Sequence, residues 1–80
     1  MARYYFNMQD GTSFPDNQGK ELETVRRARI AAIDYAAEML RSPNEDLWKG
    51  QESVLRVTDA RGALLFTLAF CASDAALAVA

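Results

Sequence analysis

Residues 3–9 alternate, with Tyr4, Phe6 and Met8 on one side and Tyr5, Asn7 and Gln9 on the other. Aromatic residues at a period of two predict a half-buried strand. Asp10-Gly11 closes it with a turn signal. Thr12, Ser13, Pro15, Asp16, Asn17 and Gly19 then supply loop chemistry, with Phe14 expected to anchor the loop on the core. A short second strand is expected at 12–14 or at 20–22, with Leu22 pointing inward. From residue 25 the period changes. At a helical 100° per residue, Val25, Ala28, Ala32, Ala36 and Met39 fall within about 60° of one another, which predicts a helix over 25–41 with a narrow core stripe. Thr24 is placed to cap its first turn, and Ser42-Pro43-Asn44 to stop it, because proline disfavours a helical residue before it. Ile30, Ile33, Ala37 and Leu40 carry the apolar arc round one flank, more than one sheet face needs.

After a polar connection at 44–51 containing Trp48, residues 53–58 and 63–70 alternate again. Asp59-Ala60-Arg61-Gly62 between them suits a type I turn closed by a left-handed glycine. The Ala-rich tail 71–80 is either a short helix capped by Ser73 and running through Leu77, or frayed. The order strand, short strand, helix, strand, strand predicts one α+β domain over 1–70. It is a small antiparallel sheet of three to four strands with one helix packed across one face.

The chain has 80 residues, of which 40 are apolar, but 14 of these are alanine. So short a chain buries only about 60–65% of its unfolded surface. Together with the wide apolar arc, this predicts a homodimer, with Ile30, Ile33, Ala37, Tyr5 and Leu65 as the candidate self-association surface. Nine basic against eleven acidic residues, a net charge of −2, argue against a sequence-independent nucleic-acid binder. No apolar run approaches the roughly 20 residues that span a bilayer, and the N-terminus lacks the apolar region of a secretion signal. A cytoplasmic protein without membrane association is expected.

Chemistry has few places to sit. There is no histidine and one cysteine, Cys71, so neither a zinc site nor a histidine-activated nucleophile is available. No metal or cofactor is expected, and Cys71 reads as a thiol without a role. Asp10, Asp16 and Glu21 lie near Gly19, but their spacing is not that of a calcium loop. Asp16 reads first as a turn former. Arg26, Arg27 and Arg29 at the helix start oppose the helix dipole. Pairing with carboxylates is the leading reading, with Asp16 or Glu21 as partners for Arg29. An anion or small-molecule site made of Arg26, Arg29, Asp16 and Glu21 is the alternative. Trp48 is expected to fold back over the open end of the core, with a partner-binding anchor as the second reading.

Arg3-Tyr4-Tyr5-Phe6, Asp10-Gly11, Pro15-Asp16-x-x-Gly19-x-Glu21-Leu22 and Val57-Thr58-Asp59-x-x-Gly62 together resemble a known set. The chain is similar over residues 3–70 to short uncharacterised proteins of rhizobia and other alphaproteobacteria, a domain of unknown function. In that family the helix usually opens Pro-Asp-Leu-Glu, where this chain has Glu23-Thr24-Val25-Arg26. The resemblance implies no activity. The element order is also similar to the double-stranded-RNA-binding-like domain of some antitoxins, a likeness of fold alone. The leading expectation is therefore a non-enzymatic domain that self-associates or meets an unknown protein partner. The ligand-binding module and an antitoxin-like partner of a small toxin are the alternatives.

Overall fold

The computed structural model describes residues 1–42 and 45–75. The elements run β1 (Ala2–Asp10), β2 (Thr12–Phe14), β3 (Lys20–Leu22), α1 (Val25–Arg41), a 3-10 turn (Glu45–Trp48), β4 (Ser53–Thr58) and β5 (Leu64–Phe70). They form an α+β domain with one antiparallel sheet and one long helix. The strand order is β2-β1-β4-β5, with β3 also on β1. Both segments considered for a short second strand are strands, one at each end of β1. Met8 faces Phe14 and Tyr4 faces Lys20, so the chain runs along one edge of β1, leaves it at 15–19 and returns.

The alternation of β1 decides its burial. Tyr4, Phe6 and Met8 are buried with Leu55 and Val57 of β4, and Ala28, Ala32 and Ala36 of the helix close over them. The stripe works because alanine has no bulk beyond Cβ, so the helix backbone sits close to the strands. Leu22 and Val25 pack against the same cluster. Thr24 caps the helix, its Oγ1 accepting the Arg27 N–H at 3.2 Å. Thr24→Ala is expected to cost about 1 kcal/mol, hence a melting point about 4–8 °C lower by circular dichroism. At the other end the Ser42 N–H donates to the Glu38 and Met39 carbonyls. Pro43 and Asn44, assigned to that stop, lie outside the described residues.

The β4–β5 hairpin closes as its residues dictate. The Gly62 N–H donates to the Asp59 carbonyl at 3.0 Å with Gly62 at φ 85°, and Asp59 Oδ1 accepts the N–H groups of Arg61 and Ala63. Beyond β5, Ser73 does not open a helix. It bridges Lys49 in an extended arrangement, and the Gly50 N–H donates to the Ala72 carbonyl, so the chain extends the hairpin pairing as far as Ser73. Leu77 lies outside the described residues.

Two expectations about large side chains are corrected. Phe14 is not seated in the core; it is 56% exposed on the edge strand β2, across an open hollow from Tyr35 and Met39 of the helix. Trp48 is 53% exposed and does not cap the core, whose buried cluster contains neither residue.

Candidate interaction surface

The two edges of the sheet differ in how their backbone is satisfied. Where the chain leaves β1 at 15–19, Asp16 takes the place of a strand. Its Oδ2 accepts the Phe6 N–H at 3.1 Å, and its Oδ1 accepts the N–H groups of Gln18 and Gly19 at 3.0 and 2.9 Å. Asn7 completes the latch. Its Oδ1 accepts the Asp16 N–H at 2.9 Å, while its Nδ2 donates to the Arg56 carbonyl at 3.2 Å. Gly19 is needed here for two reasons. Its φ is +71°, and a Cβ would come within 2.9 Å of Arg3 and Tyr5 side-chain atoms. Desolvation raises the Asp16 pKa, but the donors from Gly19, Phe6 and Gln18, with the Arg3 charge, outweigh it and hold it below the ordinary value.

This arrangement disperses the residues proposed as an anion or ligand site. Asp16 is occupied by backbone. Glu21 pairs with Arg3 at 3.3 Å, and Arg3 also donates to the Gln18 carbonyl. Arg29 therefore meets neither carboxylate, contrary to expectation; it is exposed on the helix. Arg26 lines a shallow hollow with Thr24, Arg27 and Ile30, separate from the one that holds Asp16 with Phe6, Lys20, Ala31 and Tyr35. Asp10, Asp16 and Glu21 do not converge, and among the described residues no group of His, Cys, Asp or Glu is placed to hold a metal ion. The Cys71 thiol is exposed and donates to the Gly50 carbonyl at 3.3 Å. A further hollow of about 390 Å³ opens between Met8, Phe14, Tyr35, Glu38 and Met39, its walls almost entirely apolar.

The proposed self-association residues divide between two faces. Ile33 and Ala37 follow each other at helical spacing, with Ile33 exposed, whereas Ile30, also exposed, lines a hollow with Lys20, Leu22 and Ala31 on the β3 side. Tyr5 lies on the opposite face of the sheet, where it pairs across to Thr58, and Leu65, next to the inward Phe66, shares that face. Those five residues are not one patch. That outer face is largely polar in its middle, with Asn7, Arg56 and Thr67 in one cross-strand row, as for an antiparallel sheet solvated on one side.

A different neighbour completes the helix flank. The four strand columns span about 14 Å between outer axes, whereas a helix with its side chains is about 10 Å wide. One helix cannot cover all of them, and it sits over β1 and β4. Tyr35 and Ala31 turn toward β2 and β3, so the opposite flank, with Ile33 and Leu40, is on the β5 side. There the inward residues Phe66, Leu68 and Phe70 touch the core but stay half-buried, and on the helix flank turned to that side Ile33 and Leu40 are 58% and 49% exposed. Sequence reasoning groups Ile33 with the surplus apolar arc but leaves out Phe66, Leu68 and Phe70, because alternation alone marks them as core. The signal lay in the count of helices: one helix for this many inward-facing strands.

The fold defines a small α+β domain, one helix over one face of an antiparallel sheet, with a half-buried apolar row on its β5 strand. The chain belongs to the family described as domain of unknown function (DUF6894), whose model matches residues 3–71. Comparison with curated proteins and with solved structures finds no match. No helix among the described residues is long and apolar enough to cross a membrane.

Proposed function

We propose that this domain is a non-enzymatic protein-interaction module that self-associates through the β5 side of its helix. The observation that carries this reading is the half-buried row of Phe66, Leu68 and Phe70 on β5, with Ile33 and Leu40 exposed on the helix flank turned away from β2 and β3. Apolar surface stabilises by about 25 cal/mol per Å² when removed from water, so this surface favours a partner. A chain whose core, among the described residues, holds eight buried apolar residues, three of them alanine, has particular need of that contribution. The absence of histidine, and the use of Asp16 in a backbone latch, support a role without catalysis and without a cofactor. A lone exposed thiol suits the reducing cytoplasm.

Light scattering across a concentration series tests this. A species of twice the 8.9 kDa chain mass is expected, and Ile33→Asp is expected to return it to the monomer while the fold is retained. A wild-type chain that stays monomeric throughout would refute the reading.

A further inference from the structure

On the β1 side the sheet edge is blunted in several ways at once. Its two strands are three residues each, Pro15 lacks an N–H, Lys20 and Glu21 carry charge, and the Asp16 carboxylate already occupies the Phe6 N–H. Such features keep another strand from adding. β5 has none of these, and the one irregularity in its ladder, a register shift where Thr58 meets Leu64, is confined to its first turn-side residues. The strand is Leu-Leu-Phe-Thr-Leu-Ala-Phe, seven residues without charge, proline or glycine, and among the described residues nothing pairs with its outer edge.

The latch also shows which β5 groups face outward. The Phe6 N–H points to Asp16, away from β4. In an antiparallel ladder the bonding direction alternates residue by residue. Val57 and Leu55 therefore turn their backbone groups toward β5, where Phe66 and Leu68 meet them. Thr67 and Ala69 are left with N–H and C=O directed to the open edge.

We infer that this edge takes the β5 strand of a second copy, antiparallel, with the twofold axis at Thr67. The inference deepens the self-association reading and rests on it. About that axis the strand is complementary to itself. Phe66 stands opposite Leu68 of the second copy on the inner face, and Thr67 stands opposite its own equivalent, exchanging two backbone hydrogen bonds. No like charges meet, because the segment has none. The half-buried row of Phe66, Leu68 and Phe70 then continues into the same row of the other copy, flanked on each side by Ile33 and Leu40. Seven residues at about 3.4 Å each make a contact about 24 Å long. Across the sheet and helix layers, about 20 Å high, the flat cross-section is about 480 Å², smaller than the roughly 800 Å² per partner of a standard interface, so a weak, concentration-dependent dimer is expected.

Thr67→Pro tests it with little cost to the hairpin, since it removes an N–H that β4 does not use. Thr67→Lys is the second variant; it keeps the N–H but places a charge against its own equivalent. Both are expected to fold, by circular dichroism, and to raise the dimer dissociation constant about tenfold or more. In the wild type, hydrogen exchange at the Thr67 and Ala69 amides is expected to slow as concentration rises. A monomeric wild type would overturn this inference together with the reading beneath it. A dimer that survives both substitutions, with those two amides unprotected, would overturn the strand pairing alone and leave contact between helix flanks. If Thr67→Pro fails to fold, Thr67→Lys and the exchange of the two wild-type amides decide.

Discussion

Leu55→Ala is expected to be the most damaging single truncation in the chain, costing about 2–5 kcal/mol. Leu55 is fully buried at the centre of β4, facing Met8 on one side and Leu68 on the other. The alanines of α1 lie above it and have no length with which to fill the space it would leave. The cavity therefore stays open, and cavity volume is what raises such costs above the simple transfer of the missing carbons. A domain of this size has a total stability of about 4–12 kcal/mol, so the variant is expected to be partly unfolded at room temperature. Urea denaturation checks this: a lower midpoint with an unchanged slope is expected, and a midpoint within error of wild type would show that the core closes up around the site.

Asp16→Ala is expected to cost about 2–3 kcal/mol, because it deprives three N–H donors of one charged acceptor. The Phe6 N–H loses most, since it sits in the middle of β1 and donates to that carboxylate where the chain has left the strand edge. The melting temperature is expected to fall by roughly 10 °C or more. A pH dependence follows from the same carboxylate. Its folded pKa is depressed, so the unfolded chain binds the proton more readily in acid. The stabilisation is present above the unfolded value of about 3.9 and is lost as pH falls through the folded pKa. Asp16→Asn is expected to flatten this acid limb as well as to lower stability at neutral pH. A parallel pH profile in the two proteins would show that other carboxylates control acid unfolding.

Local order was legible because each element carries its own periodicity. Tyr4-x-Phe6-x-Met8 reads as a strand, the Ala28/Ala32/Ala36 stripe as a helix, and Asp59 with Gly62 as the turn between two further strands. The prediction of Thr24 as cap rested on side-chain chemistry with a single local target. Asp16 was correctly seen as a former of turns, yet its bond to Phe6 and the answering bond from Asn7 join residues about ten positions apart, a reach that no window of sequence reports. Arg29 was assigned a carboxylate on proximity in sequence. Glu21 instead lies beside Arg3 across the β1–β3 pair, since antiparallel pairing of two strands places it there.

The candidate surface divides along the same line. Ile30, Ile33 and Ala37 are grouped by helical spacing alone, but the sheet beneath divides them, since Ile30 lines a hollow with Lys20 and Leu22 of β3 while Ile33 is on the other flank. Tyr5 and Leu65 were added for their apolarity, and the strand alternation sends them to the far side of the sheet. The amino-acid order thus settled the fold class, the strands and helix, and which side of each is apolar, because these depend on periodicity and on chemistry within a few residues. Only the assembled sheet decided that β5 is an edge, that the helix leaves it half-covered, and that Asp16 closes the other edge. Those facts depend on which strands become neighbours and on how far one helix can reach across them.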